Sequence, residues 1–254
     1  MSIYRPVRAL ERGLAVLKAT NTLAEPTVEA IARLTKLPWS TAFRLLETLE
    51  AAGYVIRSGN GHLYRPSLLA RSLGEGYARE AWISQFATPR IAELSRRLVW
   101  PIDLIVFDND SMLIVESTQR TSPFSIDRNM VGQRTPILMT SSGRAYISFV
   151  PSHERRAIVE RLAKKTNEEG QLARNKLKLD ALIKRTRQAG FATREGGLFP
   201  HTKSVSVPVL AHGRVNGCIS IIWIASALTL KAGTLQFAEP LKKTAALIAA
   251  EIPA

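Results

Sequence analysis

A chain of 254 residues with 46% apolar side chains can build one or two packed domains, and this composition excludes an intrinsically disordered protein. Lys and Arg (35) outnumber Asp and Glu (21), a formal charge of +14 that points to a polyanionic partner; the excess runs along the whole chain and so locates no site. A single cysteine, Cys218, excludes an intrachain disulfide. No apolar run reaches the ~18 residues of a membrane helix or forms a leader, so a cytoplasmic protein without membrane contact is expected.

Residues 5–20 read as an opening helix with Leu10, Leu14 and Leu17 on one face. Thr27 is a good N-cap for a second, short helix whose Val28, Ile31 and Ala32 share a face, and Pro38 stops it. A third helix starts near Ser40. It carries Ala42, Leu45, Leu46 and Leu49 at i, i+3, i+4 and i+7, and Gly53 follows at a C-terminal cap position. Val55–Arg57 and His62–Arg65 are short strands about the turn Ser58-Gly59-Asn60-Gly61. Three helices and a two-stranded hairpin make a winged helix-turn-helix, which places the start of its second helix in the DNA major groove.

The outward face of that helix shows Trp39, Ser40, Thr41 and Arg44, residues able to bond phosphates and base edges. Arg44 has two readings, a guanine or phosphate contact and a solvated partner of Glu47 or Thr48. Ser40 and Thr41 can cap the helix, lie beside a phosphate, or both. Trp39 is equally suited to stack on a sugar or thymine methyl and to tuck against the wing. Arg57, Asn60, His62 and Arg65 are the wing's phosphate or minor-groove candidates, and Arg5 and Arg8 form a basic arm.

Residues 66–97 read as mostly helical, with a break marked by Gly74 and Gly76. From residue 101 the period changes to that of strands: Ile102–Phe107 and Met112–Ser117 flank the turn Asp108-Asn109-Asp110, and Phe124–Arg128 is a weaker strand. Ser142–Val150, Ser152–Lys164 and Leu177–Gln188 read as helices. Val205–Leu210 and Val215–Ile224 form a hairpin turning at His212-Gly213. A last helix places Leu241, Ala245, Ile248 and Ile252 on one stripe. Strands mixed with helices imply an α+β domain whose antiparallel sheet is covered by helices.

LPWSTAFRLLETLEAAGYV with its basic wing, then VGQRTPILMTSSGRA, GFATRE and SVSVPVLAHGRVNGCISI, resemble in order the IclR family of bacterial transcription regulators. VWPIDLIVFD, MVGQRTPILMTSSG, QLARNKLKLDALI and GCISIIWIASALT are similar to the subgroup that activates degradation of 3-(3-hydroxyphenyl)propionate and related aromatic acids. The resemblance implies a winged helix-turn-helix over 1–66, a linker helix over 67–83 and a GAF-like effector-binding domain over 84–254. It implies dimers or tetramers on palindromic double-stranded operator DNA, with RNA polymerase as a further partner. The expected function is that of an activator of an aromatic-acid catabolic operon, gated by a small aromatic carboxylate.

Thr140-Ser141-Ser142-Gly143 precedes a helix, and hydroxyls with free N–H groups at a helix N-terminus suit a carboxylate, although plain capping needs only one of them. The family's effector contacts carry over to Ser141, Ser142, Arg194, Ser204, Ile221 and Trp223, with Gly143 in the same loop. Members that bind very small oxo-acids have an acidic residue near 194 and serines near 221 and 223; arginine, isoleucine and tryptophan here suit an aromatic acid. Arg194 is nearly as well explained by pairing with Glu195, and Trp223 on a strand is by default a core residue.

Nothing suggests catalysis or a cofactor. His62, His153, His201 and His212 have no metal-ligand spacing with one another or with Cys218, and Gly74-Glu75-Gly76 is too short for a dinucleotide fingerprint. Asp103, Asp108 and Asp110 are explained by a turn at a strand end. The competing reading is a small-molecule-binding protein or enzyme whose N-terminal helices serve only for assembly.

Overall fold

The computed structural model describes residues 7–58, 61–73, 82–127 and 130–253. The chain divides into two compact units, Met1–Arg79 and Glu80–Ala254.

The first unit holds α1 (Arg8–Thr22), α2 (Val28–Thr35), α3 (Trp39–Ala51), β1 (Val55–Arg57), β2 (Tyr64–Pro66) and α4 (Leu68–Ser72). The Thr27 hydroxyl caps α2 by accepting from the Ala30 N–H at 3.2 Å, and Lys36, in the left-handed region, ends it. Pro38 supplies the N-cap of α3: its carbonyl accepts from the N–H groups of Thr41 and Ala42. The helix therefore begins one residue before Ser40, and Ser40 and Thr41 are not its caps. Gly53, at φ 79, closes it, with its N–H on the Glu50 carbonyl. Val16, Ala19, Ile31, Ala42, Leu46, Val55 and Tyr64 form the core. The expected α1 stripe is corrected here. Leu10 and Leu14 are 61% and 57% exposed, whereas Leu17 is half-buried against the core beside Val16, Ala19 and Thr20.

The second unit opens with a π-helical turn, Ile83–Ala87, running into α5 (Thr88–Leu98). One antiparallel sheet follows, in the order β5-β4-β3-β8-β7-β6. Its strands are β3 (Ile102–Asp108), β4 (Ser111–Ser117), β5 (Arg134–Thr135), β6 (Ala192–Glu195), β7 (Thr202–Ala211) and β8 (Arg214–Ile224). Helices α6 (Ser141–Phe149), α7 (Ser152–Ala163), α8 (Glu168–Arg174) and α9 (Lys176–Ala189) lie between β5 and β6, and α10 (Leu230–Glu251) closes the chain. His212 and Gly213, both at positive φ, make the β7–β8 turn.

Strand parity separates two cores. Ile102, Leu104, Val205, Val207, Ile219, Ile221 and Trp223 pack with residues of α5 and α10. Ile105, Met112, Ile114 and Cys218 pack with residues of α6, α7 and α9. Phe124–Asp127 forms no strand; Phe124 instead stacks at a tilt on Trp100, 5.0 Å between ring centres, and Arg128 lies outside the described residues.

Candidate functional site

Two surfaces carry the chemistry, one in each unit. On α3, Ala42 and Leu46 face the core, which turns Ser40 and Arg44 to solvent one turn apart and leaves Thr41 half-buried. Arg44 lies in no ion pair or side-chain hydrogen bond among the described residues. Glu47, its expected competitor, is taken by Arg57. Thr48 bonds the Arg44 carbonyl at 2.8 Å and not its guanidinium.

Trp39 does not tuck against the wing. Its indole N–H donates to Glu29 on α2 at 3.0 Å, and its ring stacks on Phe43 at 5.1 Å and 7°. It remains 49% exposed, so only an apolar ring face is left for a ligand. Glu47 and Glu50 of α3 hold the Arg57 guanidinium, which also lies over the Tyr64 ring, so it braces the hairpin against α3. His62 and Arg65 are exposed, as is Arg8 at the start of α1. Arg5 and Asn60 lie outside the described residues.

In the second unit the N-terminus of α6 meets the polar face of the sheet. Thr140 caps the helix, accepting from the Gly143 N–H at 3.2 Å. The N–H groups of Ser141 and Ser142, in the first turn, have no intrahelical acceptor. Gly143 is required by close approach, because a Cβ there would lie 2.0 Å from the Ile137 carbonyl oxygen. The Ser141 hydroxyl lies 2.7 Å from Ser204 and accepts from Ser206 at 2.7 Å, and Ser206 in turn bonds Ser220. This chain of hydroxyls crosses from α6 over β7 to β8.

Arg194 on β6 borders the same cleft and is 4% exposed. Nη1 donates to the carbonyls of Gly196 (3.1 Å), Phe199 (2.8 Å) and Thr202 (2.9 Å), and Nη2 donates to Thr202 Oγ1 at 2.7 Å. No carboxylate of the described residues pairs with it. Glu195, the alternative partner, pairs with Lys203. Burial, and then the charge of Arg144, lower the Arg194 guanidinium to about 10. Among the described residues Arg144 bonds only the carbonyls of Leu138 and Thr193, and no carboxylate of those residues pairs with either arginine.

At the other end stands Asp103, also 4% exposed. It accepts from Ser117 Oγ at 2.6 Å and Gln119 Nε2 at 3.3 Å, and burial lifts its carboxyl to about 6. It belongs to the start of β3, far along the strand from the Asp108–Asp110 turn that was expected to explain it. Ile105, Ile114, Met130 and Ile222 supply the apolar lining of a cleft of about 470 Å³, its open mouth included.

Profiles of two domain families match the chain: the IclR helix-turn-helix domain over residues 9–59, and the bacterial transcriptional regulator IclR C-terminal domain over residues 75–250. The chain belongs to the IclR family. It is a DNA-binding transcription regulator with a C-terminal ligand-binding domain. Among similar IclR-family regulators, XynR of Escherichia coli is 27% identical over 222 residues, 87% of either chain. KipR of Bacillus subtilis is 24% identical over 207 residues, 82% of either. The Thermotoga maritima IclR crystal structure shares the fold at a TM-score of 0.72, with 20% identity over 97% of this chain and 99% of that one. An IclR homolog from Microbacterium hydrocarbonoxydans, crystallised with 4-hydroxybenzoate, gives 0.66 and 20% over 95% and 98%.

Against the expectations for an IclR effector cleft, Ser141, Ser142, Arg194 and Ser204 line it together. Ile221 and Trp223 do not. They are fully buried on the opposite sheet face, where Trp223 packs on Gly233 of α10 and donates its indole N–H to the Leu228 carbonyl at 3.2 Å. Their neighbours Ser220 and Ile222 take the lining positions, because a one-residue slip on a strand exchanges the faces. Asp103, Gln119, Asp127, Phe199 and Thr202 were missed as lining residues; a charged residue opening an apolar strand was the available signal for Asp103. Among the described residues no group of three or more His, Cys, Asp or Glu is placed to hold a metal, and no helix is long and apolar enough to cross a membrane.

Proposed function

We propose that this regulator is an activator of an aromatic-acid catabolic operon, gated by a small aromatic carboxylate bound between Arg194 and the first turn of α6. The observation that carries the reading is a buried guanidinium without a counter-ion at the end of a mostly apolar cleft. An isolated buried charge is costly, and an anion that supplies the missing partner recovers that cost. Ser141 and Ser142 offer N–H groups at the positive end of a helix beside it. A fold relative holding 4-hydroxybenzoate supports the same chemistry, and the resemblance to activators of 3-(3-hydroxyphenyl)propionate degradation supports the operon class.

On this reading α3 enters the major groove through Ser40, Thr41 and Arg44, with Trp39 offering its ring face. A homodimer or tetramer spans a palindromic operator, and effector shifts the population of half-site arrangements presented to DNA and RNA polymerase. Calorimetry with benzoate and 3-phenylpropionate tests the effector site: binding to the parent and at least tenfold weaker binding to Arg194→Gln is expected, and equal affinities refute it. Gel-shift titration at fixed salt tests the DNA face. Arg44→Ala should lose operator binding while keeping its melting temperature, and unchanged affinity removes Arg44 from the interface.

A further inference from the structure

The cleft has a second pole. Asp103 is as deeply buried as Arg194, and neither pairs with the other or with any other ion among the described residues. The register sets their distance. Asp103 on β3 is opposite Ser220 on β8, Ser220 is opposite Ser206 on β7, and Arg194 on β6 is opposite Ser204 on β7. Three inter-strand gaps, roughly 14 Å, and a two-residue offset along β7, roughly 7 Å, separate the two backbones by roughly 16 Å. The Arg194 guanidinium turns to the backbone of residues 196–202, Ile222 on β8 lies between the two strands, and Ile105 on β3 and Ile114 on β4 line the cleft at the Asp103 end. A buried cation, a row of bonded serines with Ile222 beside it, and a buried carboxyl thus follow one another across the sheet.

The hydroxyls between the poles are occupied. Ser141, Ser204, Ser206 and Ser220 bond one another, and Gln119 turns its carbonyl to Ser125 Oγ at 2.8 Å and its amide to Asp103. A carboxylate has about four lone-pair positions, and two of those on Asp103 are filled, by Ser117 and Gln119. Asp103 is therefore a buried acceptor with capacity to spare at the far end of the cleft, where the other lining carboxylate, Asp127, is exposed to solvent.

We propose that Asp103, oriented by Ser117 and Gln119, is the specificity-determining residue that selects hydroxylated acids by accepting a hydrogen bond from an effector hydroxyl. This rests on the carboxylate lying at Arg194. A hydroxyl fits better than an ammonium, because the apolar lining would strip an ammonium of its water and a hydroxyl loses far less.

The test is a ratio of affinities. Calorimetry compares 3-phenylpropionate with its 3- and 4-hydroxy derivatives, and benzoate with the 3- and 4-hydroxybenzoates. A hydrogen bond to a buried carboxylate gives the best-matched hydroxylated acid a preference of about tenfold or more over its parent acid. Asp103→Ala should bring that ratio to about one, whereas Arg194→Gln should weaken both acids alike and leave it standing. Asp103→Asn keeps the side-chain size and one acceptor, so an intermediate ratio is expected, which carries the test if the alanine variant does not fold. A parent ratio of one, a ratio unmoved by either Asp103 substitution, or tighter binding of 4-(aminomethyl)benzoate than of any hydroxybenzoate overturns the assignment. Loss of the ratio with Arg194 still required rejects nothing about the carboxylate pole. Failure of every acid to bind the parent removes the carboxylate reading and this assignment with it.

Discussion

At pH 8 the Asp103→Asn protein should melt above the parent, and the gap should close as the medium is acidified. Burial opposes ionisation of Asp103, and repulsion from Asp127 adds to it; hydrogen bonds from Ser117 and Gln119 act the other way and lose, leaving the carboxyl at about 6 against 3.8 when exposed. A carboxyl raised in this manner makes the folded state bind its proton more tightly than the unfolded state. Below about pH 4 both states are protonated and nothing is lost. Between about 4 and 6 the unfolded chain releases its proton first, so stability falls as pH rises. Above 6 the full penalty applies, about 3 kcal/mol at 1.36 kcal/mol per pH unit. Asparagine carries no such penalty. It keeps an acceptor for Ser117 but turns an amide toward Gln119, which returns about 1 kcal/mol. The net gain at pH 8 is about 2 kcal/mol, or roughly 4–8 °C for a domain of this size. At pH 5 only about half the penalty remains, and the net gain drops below about 1 kcal/mol. Melting curves of both proteins at the two pH values, at equal ionic strength, check this. A variant less stable than the parent by the same margin at both values refutes the reasoning, because Asp103 would then be held ionised at no cost.

Gly143→Ala should be among the most damaging small substitutions in the second unit. Its Cβ meets the Ile137 backbone at 2.0–2.5 Å, which no side-chain rotation relieves, so about 3 kcal/mol or more is lost, and any melting shift induced by aromatic acids should vanish with it. Leu46→Ala empties a fully buried site in the first unit and should cost about 2–5 kcal/mol; operator binding in a gel shift should fail while acid binding by calorimetry persists. Arg57→Ala removes ion pairs that are partly exposed, so it should cost no more than about 1 kcal/mol in thermal melts. The slope of log affinity against log salt should stay as in the parent, since Glu47 and Glu50 already balance the Arg57 charge, whereas a lower slope would place Arg57 on the DNA face.

Much of this was legible in the sequence, and the failures have definite causes. The leucine spacing of α3, Thr27 as a cap and the His212-Gly213 turn each impose one local geometry, and each is present. Ser204 and Ser206 alternate with valines, so their common face could be read. The CISIIWI run of β8 is apolar on both faces but for Ser220, a lone mark of parity; there the effector contacts slipped to Ile221 and Trp223. Leu10 and Leu14 follow the helical period as well as Val16 and Ala19 do, and only tertiary packing decides between the two faces of α1. The π-helical turn before α5, and β5 with its two residues, are too short for any period to register. Asp103 was the costliest omission. Its neighbourhood is assembled from residues 117, 119 and 220, and sequence order does not bring these together.

The two faces of the sheet differ in what they contribute. The face under α10 is packed with valine, isoleucine and tryptophan and carries one of the two hydrophobic cores of the domain. The face toward α6 buries Arg194, Asp103 and four serines, and every one of those side chains is worth less to folding than an aliphatic residue of the same size would be. The serines recover part of that by bonding one another. The two ions cannot, because three strand gaps hold them apart. The domain is therefore least stable where it is most polar, and a ligand with an anionic end and a hydroxyl end compensates both groups at once. Stabilisation by such a ligand should exceed that by an acid lacking the hydroxyl at equal free concentration, in proportion to the logarithm of their affinities. It should also release protons near pH 6, since a hydroxyl donating to Asp103 favours the ionised carboxyl. Binding enthalpies in two buffers of different ionisation heat separate this from simple filling of the cleft, which would release none.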